Sequence, residues 1–135
     1  MIRKASGCVV FRLNAKHEVE ILLVRSTNSG KWVFPKGGVE KDLSSQESAL
    51  KEVYEEAGVT GVIEYKLGKY QYMKEGVLQK VKMYSCRYTH DTPDWPEQHI
   101  RERRWMSAEK AMRKLSARLR PYLEATLQTI EVKGH

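Results

Sequence analysis

The distribution of apolar and polar positions predicts a chain of strands and helices with no linker and no low-complexity segment. Six segments are rich in aliphatic and β-branched residues and are bounded by polar turns, which is typical of strands. We predict four longer strands and two short ones, at residues 3–12, 19–25, 61–72, 77–88, 32–34 and 103–106. A polar loop is expected over residues 89–99, which contain two prolines and several charges.

The apolar positions change to helical spacing in three places. One helix is predicted behind a glycine-rich turn, from Ser44 to Gly58. A second begins at Ser107 and extends to about Leu115, and a longer amphipathic one extends to about Val132, with Pro121 in its first turn. The mixture of strands and helices predicts an α+β or mixed α/β architecture.

The first helix has a clear beginning, end and buried face. Ser44 followed by Glu47 forms a capping-box pattern, and Gly58 lies where a left-handed C-terminal cap is expected. The apolar positions at helical spacing form one stripe, made of Ala49, Leu50, Val53 and Ala57. One side of this helix is therefore predicted to pack against the core.

The opposite side of the same helix carries three carboxylates. Glu52 is three and four residues before Glu55 and Glu56, so the three side chains share a face. Like charges at this spacing cost an isolated helix roughly 0.2–0.5 kcal/mol per pair. Clustered carboxylates suit a hard cation such as magnesium, manganese or calcium better than zinc. We therefore predict a divalent-cation site on this helix.

Composition narrows the class of protein further. The 135 residues are expected to form a single domain, 1–135, with 24 Lys and Arg against 17 Asp and Glu, a net charge of +7. A basic balance favours polyanionic partners, although a basic protein without such partners has the same composition. No apolar window approaches a membrane span and no secretory signal is evident, so we expect a cytoplasmic protein. Cys8 and Cys86 are interpreted as reduced, buried thiols.

The segment from Gly37 to Val59 resembles the Nudix box, G-x5-E-x7-R-E-U-x-E-E-x-G-U, in which U is aliphatic. Residues 51–59 match its second half almost fully, and Gly37 takes the opening glycine. Two positions depart from the pattern, because Leu43 replaces the Glu and Lys51 replaces the Arg. In the family these two residues pair. Since both change together, we expect an active site with a differently stabilised loop.

The resemblance implies a Nudix fold, in which a mixed sheet lies between helices and the box forms a loop-helix-loop. It also implies a magnesium-dependent hydrolase, with manganese as an alternative, that cleaves a phosphoanhydride bond. The Trp-x-Phe-Pro-Lys-Gly-Gly run at residues 32–38 resembles the branch that hydrolyses dinucleoside polyphosphates and diphosphoinositol polyphosphates. Removal of pyrophosphate from RNA 5′ ends and hydrolysis of nucleotide sugars or nucleoside triphosphates are alternatives. A non-catalytic module that senses a nucleotide or RNA is the alternative from another class, and monomer and homodimer both stay open.

By the same resemblance, Glu52 and Glu56 are the principal metal ligands, and Glu55 is a ligand or the base that activates water. A backbone carbonyl at Gly37 or Gly38 is an expected further ligand, since glycine lets the main chain approach a metal closely. Glu97 and Glu102 are the candidates for an acidic ligand from outside the box. Lys36, and with it Arg25, are the candidate phosphate-binding cations.

Overall fold

A single mixed sheet forms the centre of the computed structural model, which describes residues 1–133. Its seven strands are β1 (Ile2–Leu13), β2 (Val19–Arg25), β3 (Trp32–Val33), β4 (Lys36–Gly38), β5 (Val59–Lys74), β6 (Val77–Asp91) and β7 (Arg103–Ser107). The order is β3-β2-β1-β6-β5, while β4 pairs with β1 and β7 pairs with β2. Only the β1–β6 pairing in the described chain is parallel. The predicted mixed sheet is therefore confirmed.

Three helices cover the two faces of this sheet: α1 (Ser45–Ala57), α2 (Ala108–Lys114) and α3 (Arg120–Lys133). The stripe of α1 packs with the Cys8, Val10 and Tyr84 side of the sheet. The opposite side, which includes Val9 and Phe11, packs against residues of α2, α3 and the segment between them. The sheet thus lies between helices, as the Nudix resemblance implies, and each face of β1 contributes to a separate apolar cluster.

The ends of α1 are those predicted. The Ser44 side chain accepts a hydrogen bond from the Glu47 N–H, and the Glu47 carboxylate accepts one from the Ser44 N–H. Gly58 has φ +66° and donates its N–H to the Tyr54 carbonyl. These caps fix where the helix begins and ends, and therefore which way its carboxylates project.

Two predicted boundaries are wrong. Residues 36–38, expected in a loop, form β4, whose pairing with Ala5–Gly7 depends on partners distant in sequence. The polar loop does not start at residue 89, because β6 continues to Asp91, where it pairs with Val59 on β5. His90 accordingly lies in a strand, and the irregular segment covers residues 92–102.

Candidate active site

The acidic face of α1 lies directly against the short strand β4. The Glu52 carboxyl group is so close to Gly37 that a Cβ on that glycine would be 2.2 Å from the carboxyl carbon. The Lys36 N–H donates to Glu56 Oε1 at 3.2 Å. The glycines of β4 therefore let carboxylates from a helix meet the backbone of a strand, an approach that a side chain would block.

Of these carboxylates, Glu56 is buried and Glu52 is half-buried. Glu56 is only 7% exposed, and its burial, opposed in part by Arg101, raises its pKa to about 8. Burial also raises the pKa of Glu52, and the negative charges of Glu55 and Glu97 raise it further. Both groups thus lie where a negative charge is poorly compensated, which is the electrostatic condition that a bound cation would relieve.

Arg101 places a positive charge beside Glu56 and Glu97. In the sequence, the only sign of this role is that Arg101 lies four residues after Glu97. Its Nε lies 2.7 Å from Glu97 Oε1, and its Nη2 lies 3.7 Å from Glu56 Oε2. The Glu97 N–H also donates to the Glu55 carbonyl at 3.0 Å. The structure therefore brings Glu97, from the irregular segment, next to the carboxylates of α1.

Glu102 and Arg25 lie together at another position. Arg25 Nη1 is 3.1 Å from Glu102 Oε1, and Arg104 Nη2 is 2.8 Å from Glu102 Oε2. The Arg25 guanidinium also lies over the Trp32 ring, 4.8 Å from its centroid. Of the two acidic candidates outside the box, the geometry favours Glu97, and Arg25 is engaged by Glu102 instead of facing the α1 carboxylates.

The substituted box positions have a local arrangement of their own. The Lys51 ammonium lies 2.5 Å from Glu40 Oε1 and 3.7 Å from Glu55 Oε1. Leu43 donates its N–H to the Glu40 carbonyl at 3.1 Å and is half-buried. Glu40 thus takes the ionic contact with position 51 that Leu43 cannot make. The glycine-rich loop is joined to α1 by this exposed ion pair.

A cavity of about 320 Å³ opens beside Glu52 and Glu56. Four cationic side chains line it together with Tyr72, namely Arg3, Lys36, Lys74 and Arg101. Lys36 Nζ donates to the Tyr72 hydroxyl at 3.0 Å, so both of these side chains are held together in the lining of the cavity that Glu52 and Glu56 also line. The sequence alone does not single out Arg3 and Tyr72, because only the sheet brings residues 3, 36 and 72 together.

The candidate metal ligands are carboxylates and main-chain carbonyls, which are the oxygen ligands that hard divalent cations prefer. Among residues 1–133 no three His, Cys, Asp or Glu side chains are arranged to hold a metal ion. The Arg101 guanidinium contacts both Glu56 and Glu97. A cation at this position would replace Arg101 as the partner of the two carboxylates.

Comparison with known proteins agrees with this geometry. The NUDIX domain family model matches residues 1–126, and the chain therefore belongs to the Nudix family. The crystal structure of the Ap4A hydrolase of C. elegans superposes with a TM-score of 0.78 at 25% identity, covering 96% of this chain and 99% of that one. The resemblance stated from residues 37–59 and the fold that it implies are thus confirmed.

Two relatives illustrate the range of similar sequences. Nudix hydrolase 4 of Arabidopsis thaliana is 40% identical over 119 residues, which cover 81% of this chain but 57% of the relative. Diphosphoinositol polyphosphate phosphohydrolase 3-beta of Bos taurus is 30% identical over 135 residues, covering 98% of this chain and 80% of the relative. The chain thus spans less than two-thirds of the plant protein's length.

The cellular compartment stays a prediction. No helix within residues 1–133 combines the length and apolar character needed to cross a membrane. Similar plant proteins carry compartment names, such as Nudix hydrolase 17, mitochondrial, and Nudix hydrolase 21, chloroplastic.

Proposed function

We propose that this domain hydrolyses a phosphoanhydride bond in a dinucleoside polyphosphate or a diphosphoinositol polyphosphate. The observation that carries the proposal is the approach of Glu52 and Glu56 to the backbone of β4, in a cavity that Lys36 also lines. A cavity lined by both carboxylates and cationic side chains matches a negatively charged phosphate substrate that would bind together with a divalent cation.

Each residue of the site has a role in this proposal. Glu52 and Glu56 would be the principal ligands of a magnesium or manganese ion, with a Gly37 or Gly38 carbonyl and Glu97 as further ligands. The bound ion would neutralise charge on the non-bridging phosphate oxygens. Lys36 binds the phosphate chain on the other side of the reacting phosphorus.

The hydrolytic step needs a base and a leaving group. The water oxygen forms a bond to phosphorus while its proton passes to a carboxylate, for which we propose Glu55. The P–O bond to the bridging oxygen breaks, and its electron pair leaves on the departing phosphate. The Lys51 ammonium lies 3.7 Å from Glu55 Oε1.

The names of similar proteins support the substrate class. The C. elegans neighbour is an Ap4A hydrolase and the Bos taurus relative is a diphosphoinositol polyphosphate phosphohydrolase. The four cations lining the cavity suit a substrate with several phosphates in sequence. RNA 5′ ends and smaller nucleotides stay as alternatives within the same chemistry.

The contact of Arg101 with Glu56 and Glu97 favours one candidate of another class, a domain that binds a nucleotide without cleaving it. In such a domain the guanidinium would take the cation's place permanently. A neutral Arg101→Gln variant separates the two functions. If it gains metal-dependent turnover that the parent lacks, the parent is a binding module.

The proposal is tested by measuring phosphate and pyrophosphate release with magnesium and with chelator. The panel contains diadenosine tetraphosphate, a diphosphoinositol polyphosphate, nucleoside triphosphates, nucleotide sugars and 5′-triphosphorylated RNA. We expect metal-dependent cleavage of one of the first two. Binding without release across the panel would overturn the hydrolase assignment in favour of the binding module.

A further inference from the structure

The irregular segment at residues 92–102 supplies hydrogen bonds to the C-terminal end of α1. The Glu97 N–H donates to the Glu55 carbonyl at 3.0 Å. The Gly58 carbonyl accepts from the Thr92 N–H at 2.8 Å and from the Thr92 hydroxyl at 2.9 Å. The last carbonyls of a helix have no partner within the helix, and α1 has no basic residue in its last turn. The end of the acidic helix is therefore bonded to this segment.

Trp95 packs on the same helix end. A Cβ on Gly58 would lie 2.3 Å from Cδ2 of the Trp95 ring, so the indole lies directly on the glycine that caps α1. The Arg103 guanidinium carbon is 4.2 Å from the centroid of this ring, a distance at which a cation is attracted to an indole. The same guanidinium donates to the Ala57 carbonyl. The indole thus contacts the helix end and an arginine that is itself bonded to that end.

Trp95 is also the first residue of a turn that carries Glu97 and Arg101. The Trp95 N–H donates to Gln98 Oε1, and the Trp95 carbonyl accepts from the Gln98 N–H, both at 3.2 Å. The Arg101 N–H donates to the Glu97 carbonyl at 2.9 Å. Because these hydrogen bonds close the turn at residues 95–101, the position of the indole determines where the Glu97 side chain lies.

Ring contacts, and no side-chain hydrogen bond within residues 1–133, hold the indole in place. Trp95 Nε1 is buried and has no acceptor among these residues. Gly58 has φ +66° and no Cβ, so the ring can approach its main chain more closely than a side chain would permit. The contact between Trp95 and Gly58 therefore fixes the distance between the turn and the helix end.

We propose that Trp95 is a positioning residue for the cation site: its indole, packed on Gly58, holds Glu97 beside the carboxylates of α1. The inference rests on the proposed function for the identification of Glu97 as a metal ligand. Without the indole, the turn keeps its internal hydrogen bonds but loses its packing against the helix end. Glu97 then no longer shares a cation with Glu52 and Glu56, so cation affinity falls while the protein stays folded.

The test is calorimetric titration of manganese without substrate, so that turnover plays no part. Arg101 belongs to the same turn and competes with a cation for Glu56, so the comparison is made in the Arg101→Gln background. There we expect Trp95→Ala to raise the dissociation constant of manganese roughly tenfold, as is typical when a group that orients a metal ligand is lost. Trp95→Phe should restore most of the affinity, because it keeps an aromatic ring. If the alanine variant does not fold, Trp95→Leu, which keeps an apolar side chain, takes its place.

The matched control is Trp105→Ala in the same background. Trp105 is also half-buried and lies under a guanidinium, that of Arg12, 4.0 Å from its ring centroid. It does not line the cavity beside Glu52 and Glu56. Thermal unfolding should show a lower Tm for both alanine variants, whereas manganese affinity should fall only for Trp95→Ala. Unchanged affinity in Trp95→Ala, or an equal loss in Trp105→Ala, would overturn the proposal, because the indole would then affect stability alone.

A double-mutant cycle with Glu97→Gln identifies the group through which Trp95 acts. If the indole acts through Glu97, Trp95→Ala should weaken manganese binding little further once residue 97 is neutral. Additive losses, or a normal affinity of the Glu97→Gln variant, would overturn the proposal. A protein whose manganese affinity depends on both residues but which cleaves nothing on the substrate panel would overturn the proposed function alone.

Discussion

Two clusters of like charge differ in their exposure to solvent. One is the acidic face of α1, and the other is the lysine surface, made of Lys4 and Lys80, which are in register, and of Lys69 and Lys82, which are also in register. Glu56 and Glu52 lie against the backbone of β4, and burial raises the pKa of both. Three of the four lysines, Lys4, Lys69 and Lys82, are exposed, and none of the four has an ion-pair partner in residues 1–133. Water screens the lysines, whereas the carboxylates depend on protein groups for compensation.

This difference indicates how each cluster is used. A buried carboxylate needs partners at defined positions, and here Arg101 and the Lys36 N–H contact Glu56. A solvated cluster keeps its charge in water and can bind any polyanion that matches its spacing. We therefore expect substitutions at the acidic face of α1 to alter the chemistry of the site.

The largest effect is expected for Glu56→Gln. The neutral side chain keeps the size of the carboxylate but loses the metal ligand, so metal-dependent turnover should fall by at least about a hundredfold. Turnover of the preferred substrate in magnesium is the measurement, with Glu124→Gln on the exposed side of α3 as the control. A near-normal rate would mean that the acidic face of α1 is not the reaction centre.

Gly37→Ala should lower turnover by roughly tenfold while leaving the protein folded, since the displaced carboxylate would hold the metal less well. The new Cβ would lie 2.2 Å from the Glu52 carboxyl group, which can move because it ends a flexible side chain. Gly38→Ala is the comparison, since a Cβ there meets Arg3 Nη2 at 2.7 Å and leaves Glu52 untouched. If both variants lose turnover equally, displacement of Glu52 is not the cause and β4 itself has been disturbed.

Lys36→Ala is expected to raise KM by roughly tenfold, because it removes a charge-assisted hydrogen bond to the phosphate chain. Metal affinity, measured by calorimetry with manganese, should change much less. Comparing KM with metal affinity distinguishes phosphate binding by Lys36 from metal binding by the carboxylates. A parallel loss of metal binding would show that Lys36 acts by maintaining the conformation of β4, and Tyr72→Phe, which removes its hydrogen-bond partner, would then have the same effect.

The smallest effect concerns the pH dependence of stability without metal. Because the pKa of Glu56 rises from 4.5 to about 8 on folding, the folded protein binds its proton more tightly than the unfolded chain. The contribution is complete below pH 4.5 and is lost as the pH rises through 8. Glu56→Gln should reduce this decline in the free energy of unfolding by at least about 1 kcal/mol. Denaturant unfolding at several pH values in chelator checks it, and an unchanged decline would contradict the inferred burial.

Much of the fold could be predicted from local signals. The capping box at Ser44 and the left-handed Gly58 define α1 to within a residue, and the hairpin of β5 and β6 follows from two apolar runs around Glu75 and Gly76. These features depend on interactions between residues close in sequence, so they can be predicted from local sequence patterns. The grouping of Glu52, Glu55 and Glu56 on one helix face is of the same kind.

Other features depend on pairing between distant segments. β4 exists because residues 36–38 pair with Ala5–Gly7, and no property of Lys-Gly-Gly alone favours a strand. The choice of Glu97 over Glu102 could not be made from spacing, since both residues belong to the same irregular segment. In the structure Arg101 contacts both Glu97 and Glu56, whereas Glu102 pairs with Arg25 and Arg104.

The sequence by itself determined the family, the acidic helix and its boundaries, since those follow from short-range periodicity and from a long motif with many fixed positions. Only the tertiary structure decided which side chains lie next to each charged residue. It brings Lys36, Tyr72 and Arg3 to one cavity, and it places Lys4 opposite Lys80 on parallel strands. The physical reason is that strand register aligns residues far apart in the chain, and register is set by the packing of the whole sheet.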